Sequence, residues 1–155
     1  MDAPAASGNP HRLHLGQIGF VLTCKDGAPG GTNDLTDIRQ RLNLWEGLLR
    51  SQFRFEGEPV EVETVCHPSV DLLAVRVSSP LLRAGRLGID LRFSYGTGQA
   101  TAADWTQPLA HETRLDQPRP GVARFHRRLD GDSYQLSAQW TPPAQLTEIA
   151  GHHYR

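Results

Sequence analysis

Several groups of residues in this 155-residue chain are of types that could do chemistry. Cys66-His67 sets a thiol beside an imidazole, the pairing that nucleophilic catalysis uses. Both lie in an alternating run (Val60, Val62, Thr64, Cys66), and successive side chains of a strand point to opposite faces, so the two cannot share one site. His11 and His14 are three apart and His152 and His153 adjacent, but neither pair brings further ligands at the spacing a zinc site requires. No metal is expected. Asp130-Gly131-Asp132-Ser133 resembles the start of a calcium loop without its distal glutamate, and it falls where a hairpin needs a turn. Arg124, His126, Arg127 and Arg128 form a basic cluster that reads as a solvated strand face, with Glu56, Glu58, Glu61 and Glu63 available to balance it.

Asp104, Trp105 and His111 are different. They fall in or just after residues 96–109, a long stretch rich in Gly, Ala, Thr and Gln with no periodicity of its own, and such connections are usually functional or disordered. An indole offers a stacking face to a sugar, and a carboxylate and an imidazole can accept from or donate to its hydroxyls. Trp105 could equally plug the end of the fold. Glycoside hydrolysis needs two carboxylates flanking the scissile bond, and no convincing pair is present. Substrate-binding roles are therefore assigned to Asp104, Trp105 and His111, with no catalytic residue and no cofactor.

The elements that must position these residues are strands. Ile18, Phe20, Leu22 and Cys24 alternate, as do Trp45, Gly47, Leu49, Ser51, Phe53 and Phe55, with Glu56-Gly57 as a tip before Val60, Val62, Thr64 and Cys66. Leu73, Val75 and Val77 follow, then Leu87, Ile89, Leu91, Phe93 and Tyr95. Ala123 and Phe125 lead to Asp130-Gly131, and Tyr134, Leu136, Ala138 and Trp140 return. Period-two alternation punctuated by Gly and Pro is the pattern of antiparallel strands with one face on a core. Leu35, Ile38 and Leu42 have helical spacing, which allows one short helical turn. The expected fold is all-β, an antiparallel β-sandwich with little helix. Its expected organisation is a disordered segment over 1–10, the sandwich over 11–141 and a C-terminal tail over 142–155.

Composition fits this reading. The 15 Gly and 11 Pro suit many turns, and 16 basic against 17 acidic residues give a net charge of −1, with no electrostatic drive toward nucleic acid or anionic membrane. The first ten residues have neither the basic nor the apolar region of an export signal, and no stretch approaches the roughly 20 apolar residues of a transmembrane helix. A soluble, cytoplasmic protein is expected, with no membrane or nucleic-acid partner. Cys24 and Cys66 fall on the apolar parity of their strands and are expected as buried thiols.

Several runs of words resemble the large bacterial six-hairpin glycosidases. They are residues 9–20 (Asn-Pro-His-Arg-Leu-His-Leu-Gly-Gln-Ile-Gly-Phe), 42–49 (Leu-Asn-Leu-Trp-Glu-Gly-Leu-Leu) and 59–68 (Pro-Val-Glu-Val-Glu-Thr-Val-Cys-His-Pro), continuing through 73–77, 79–82 and 85–87. That family pairs an N-terminal β-supersandwich, of galactose-mutarotase-like type, with an (α/α)6 barrel, and is similar in architecture to maltose-phosphorylase-type enzymes and to the glucosidase acting on glucosylgalactosyl hydroxylysine. The resemblance covers about residues 9–140. It implies that the catalytic carboxylates belong to a barrel missing from this chain, and that sandwich loops, here Asp104, Trp105 and His111, lie near the barrel mouth. It also implies a sandwich truncated at both ends, with exposed strand edges through which the chain would form homo-oligomers.

The expected function is thus a non-catalytic β-sandwich module of a glycoside hydrolase-type enzyme, with carbohydrate and the catalytic barrel as partners. The alternative is a free-standing carbohydrate-binding or oligomerisation module.

Overall fold

The computed structural model describes residues 14–97 and 102–155. It is an all-β, sandwich-type fold of antiparallel sheets with little helix. The strands are β1 (Gln17–Leu22), β2 (Leu35–Asn43), β3 (Leu48–Phe55), β4 (Glu58–Cys66), β5 (Leu73–Ser78), β6 (Leu87–Arg92) and β7 (Tyr95–Gly96). They continue with β8 (Ala103–Asp104), β9 (His111–Arg119), β10 (Val122–Leu129), β11 (Asp132–Gln139), β12 (Glu148–Ala150) and β13 (His153–Tyr154). Among the described residues, helix is confined to a 3-10 turn at Thr32–Asp34 and to α1 (Pro80–Arg83), which Ser79 caps by accepting from the Leu81 N–H. No helix among the described residues is long and apolar enough to cross a membrane. The expected disordered segment 1–10, and His11, lie outside the described residues.

The described residues form two compact units, Phe20–Gly88 and, together, those up to Gly19 with those from Ile89 to Arg155. The first is built on the sheet β2-β3-β4-β5, in which each strand pairs with the next. The β3–β4 tip places Glu56 at φ 48° and Gly57 at φ 83°, the two left-handed residues of a tight hairpin turn. This register sets Phe53 opposite Val60 and Ser51 opposite Val62. Phe55, Val60 and Val62 are buried with Leu22, Leu81 and Leu87, the core of this unit. Gly30 lies so close to the Phe55 ring that a β-carbon there would meet it at 2.5 Å. The other face is polar, with Glu63 bridging Arg50 and Arg76, and Gln52 bonded to Glu61.

Three expectations change here. Leu35, Ile38 and Leu42 lie in β2, not a helical turn; the strand is bulged between Thr36 and Arg39, with Asp37 at φ 52°, so an irregular strand mimics helical spacing. Residues 44–47 are the β2–β3 turn instead of the start of a strand, leaving Trp45 99% exposed. Cys24 is half-buried and Cys66 exposed, both as free thiols, because Cys66 ends its strand beyond the core.

In the second unit the sheet β9-β10-β11 carries inward-facing rows across all three strands: Leu115, Phe125 and Leu136, then Thr113, Arg127 and Tyr134. Phe93, Phe125 and Tyr154 pack ring on ring, with centroids 5.0 to 6.2 Å apart. Part of the expected tail is structured. β12 and β13 form a hairpin that pairs Tyr154 with Leu91 of β6 and buries Tyr154 completely. Asp90, 5% exposed, anchors this end by accepting from Arg155 at 2.8 Å and by a 2.7 Å bond to His153.

Candidate functional site

A cleft of about 280 Å³ opens in the second unit, lined by the end of β6 and the residue after it, by β8 and the loop after it, by the start of β9, and by the β12–β13 turn and the first residue of β13. Asp104, Trp105 and His111 all line it. The short β7–β8 pairing, Tyr95 opposite Asp104 and Gly96 opposite Ala103, fixes where the loop leaves and returns. Asp104 Oδ1 then accepts from both the backbone N–H and the hydroxyl of Thr106, a side-chain turn that orients Trp105. Those bonds hold the Asp104 carboxyl below its ordinary range. Trp105 is 49% exposed, and its indole lies nearly perpendicular to the His14 ring with centroids 5.7 Å apart.

His111 begins β9 on the inward parity of that strand. Its Nδ1 accepts from the Arg127 guanidinium at 2.6 Å, and its ring stacks on His152 with centroids 3.9 Å apart. Burial, then the neighbouring His152 and Arg127, depress its pKa to about 4, so the imidazole is neutral at ordinary pH. An arginine can only donate, so the proton of this neutral ring sits on Nε2. His152 occupies the β12–β13 turn at φ 65°, a conformation few non-glycine residues adopt. Its Nε2 bonds the Pro108 carbonyl at 2.9 Å and its Nδ1 the Thr113 hydroxyl at 2.6 Å, tying the loop, β9 and the turn together.

Arg127 organises this arrangement. It is 1% exposed, and none of its partner atoms among the described residues is a carboxylate. The guanidinium donates to the carbonyls of Ser94 and Glu112, to the Thr113 hydroxyl, to His111 and His152, and at 3.4 Å to Tyr134 Oη. The Phe93 and Tyr134 rings cover it at 5.2 and 5.9 Å. Taking a cation out of water costs several kcal/mol. Dispersed hydrogen bonds and ring faces offset that cost here in place of a counter-ion. The reading of Arg127 as part of a solvated basic face is thereby corrected: Arg124 and Arg128 are exposed and Arg127 is not. Its parity was legible, because Ala123, Phe125, Arg127 and Leu129 share one face of β10. His152 carried no such signal, since its place depends on pairing with a distant strand.

Two further sequence motifs take part in turns. His67 Nδ1 accepts from the backbone of Ser69 and Val70 in the β4–β5 turn, and Asp130 turns β10 into β11 while receiving the Tyr95 hydroxyl on both carboxylate oxygens at 2.9 Å. Among the described residues no three His, Cys, Asp or Glu side chains group as a metal site. Asp104 is the one carboxylate among the lining residues of the cleft. The cleft thus brings together an indole, a carboxylate acceptor and a neutral imidazole donor. Comparison with protein-family models, with curated proteins and with solved structures finds no match.

Proposed function

We propose that this chain is a non-catalytic β-sandwich module of a glycoside hydrolase-type carbohydrate-active enzyme, and that its cleft receives part of a saccharide near the entrance of a separate catalytic barrel. One observation carries the reading. The half-exposed Trp105 side chain lines a cleft that also holds the Asp104 acceptor and the neutral His111 imidazole. Sugars are bound by that combination, an aromatic plane beneath the ring carbons and oriented polar groups at the hydroxyls. The word-level resemblance to six-hairpin glycosidases supports the same class, and a single lining carboxylate fits a module that leaves bond cleavage to another domain.

Calorimetric titration of the chain with maltose and with glucosylgalactose tests this. Binding by the native chain that falls at least tenfold in Trp105→Ala supports the proposal; equal affinity in the variant removes Trp105 from the site. No heat with either sugar overturns the carbohydrate reading.

A second reading, a free-standing oligomerisation module, rests on a different surface. Leu42, Leu44, Trp45, Val70, Leu72 and Val75 are exposed in the Phe20–Gly88 unit, toward the end of the sheet that holds the β2–β3 and β4–β5 turns. Several exposed apolar side chains at one end of a sheet suit an interaction surface.

A further inference from the structure

Nothing about a sugar site requires a buried arginine behind it. A guanidinium shielded from solvent and lacking an acidic partner is expensive to keep, and its bonds run to the residues that build the cleft wall. Through Nη2 it reaches His111 Nδ1, and through Nη1 it reaches Thr113, whose hydroxyl bonds His152. The two nitrogens of an imidazole point to opposite sides of the ring. With Nδ1 turned inward to Arg127, Nε2 points away from it, and no described residue bonds that atom.

We infer that Arg127 is the positioning residue of the cleft: it holds His111 in the Nε2–H form, so that the wall presents a fixed hydrogen-bond donor facing a ligand hydroxyl. This rests on the saccharide reading above and narrows it. A donor from His111 and an acceptor at Asp104 select an uncharged ligand whose neighbouring hydroxyls both accept and donate, a sugar diol in preference to a carboxylated or phosphorylated sugar. In the opposite tautomer the lone pair would lie on Nε2, and Nδ1–H would point at a cation.

The groups around His111 act in one direction or stand apart from it. Arg127 on β10 and His152 on the β12–β13 turn disfavour a second proton on the ring. Tyr95 on β7 faces the ring at 6.1 Å with its hydroxyl committed to Asp130. Along the cleft lie Asp104, Arg92 and His153, the last two bonded to Asp90.

Long-range proton–nitrogen NMR of the full chain reads the tautomer with no sugar present. The expected result is an unprotonated Nδ1 and a protonated Nε2 on His111 from pH 5 to 8. A mixture, or Nδ1–H, in the native chain overturns the inference. Arg127→Lys keeps a donor and should retain most of the preference, whereas Arg127→Met should release His111 to a mixed population. An unchanged tautomer in Arg127→Met also overturns it. In the binding arm, His111→Phe should weaken maltose at least tenfold, and His111→Gln, which keeps a donor, should recover most of that loss. Glucuronate should bind more weakly than glucose; the reverse order overturns the ligand selectivity. A native chain with the expected tautomer that binds no sugar overturns the function proposed for the cleft and leaves the role of Arg127 intact.

Discussion

Arg127 donates to Nδ1 of His111 across 2.6 Å, a buried cation held against a neutral ring with no carboxylate between them. The bond makes the protonation of His111 costly to the fold. That has consequences for stability as well as for the cleft.

Stability should fall as the pH drops from 6.5 toward 4. The folded-state pKa of His111 is depressed from 6.5 to about 4, so its contribution is complete above 6.5 and is lost as pH falls through the folded value. Because the ring is only partly buried, solvent screening discounts the ~1.4 kcal/mol per pH unit of a buried group, and the loss is about 1–2 kcal/mol. Urea unfolding at pH 7.0 and 4.5 measures it. His111→Gln, which accepts from Arg127 without titrating, should show a flatter dependence in this window, and an equally steep one would assign the effect elsewhere.

A second acid-sensitive point is Asp90. Burial works to raise its carboxyl, but the hydrogen bonds from Arg155 and His153 prevail and hold it below the ordinary 3.8. Its contribution is therefore present above that value and lost in more acid solution. Asp90→Asn should cost about 2 kcal/mol, the usual loss for hydrogen bonds to a charged group, and should speed hydrogen exchange in β12 and β13 ahead of β9–β11. Uniform exchange changes across the unit would argue against this local anchoring.

In the other unit, Gly30 has no room for a methyl group. A β-carbon would lie 2.5 Å from two ring carbons of Phe55 and 3.1 Å from Leu22 Cβ. Gly30→Ala should destabilise by about 1–3 kcal/mol, the typical cost of overpacking a closed core. Chemical denaturation checks it, and a neutral result would mean that Phe55 can move.

Self-association should depend on the β2–β3 turn. Leu44 and Trp45 are 83% and 99% exposed. Sedimentation equilibrium should detect association of the native chain at high concentration and none in Leu44→Ser/Trp45→Ser. Because these side chains pack on nothing, the double variant should keep its stability to within about 0.5 kcal/mol per site. A compact native monomer would count against the oligomerisation reading.

Trp105→Ala should separate binding from folding. The side chain is half exposed, so its removal should cost only about 1 kcal/mol of stability, measured by thermal unfolding, while affinity for maltose drops. Loss of both together would make Trp105 a plug for the end of the fold.

Local sequence was enough to determine β3, β4, β10 and β11, but not β2 or the short strands β12 and β13. Phe53 and Phe55 in β3, Val60 and Val62 in β4, Ala123 and Phe125 in β10, and Tyr134, Leu136 and Ala138 in β11 stand two apart, and the pleat converts that spacing into one face. The turns at Glu56-Gly57 and Asp130-Gly131 are local too, since they follow from the backbone freedom of the residues in them. The grouping of Asp104, Trp105 and His111 could be anticipated because a polar loop that carries one large aromatic must set it somewhere. Which neighbours completed the cleft was a matter for the tertiary structure. The row Thr113–Arg127–Tyr134 depends on the register of three strands, and His152 reaches His111 because β13 pairs with β6, more than sixty residues earlier in the chain. A two-residue strand has too few positions to display a period, so nothing local announces it. The charge of Arg127 points outward by composition and inward by parity, and parity prevailed because carbonyls, hydroxyls and ring faces from distant segments were assembled around it.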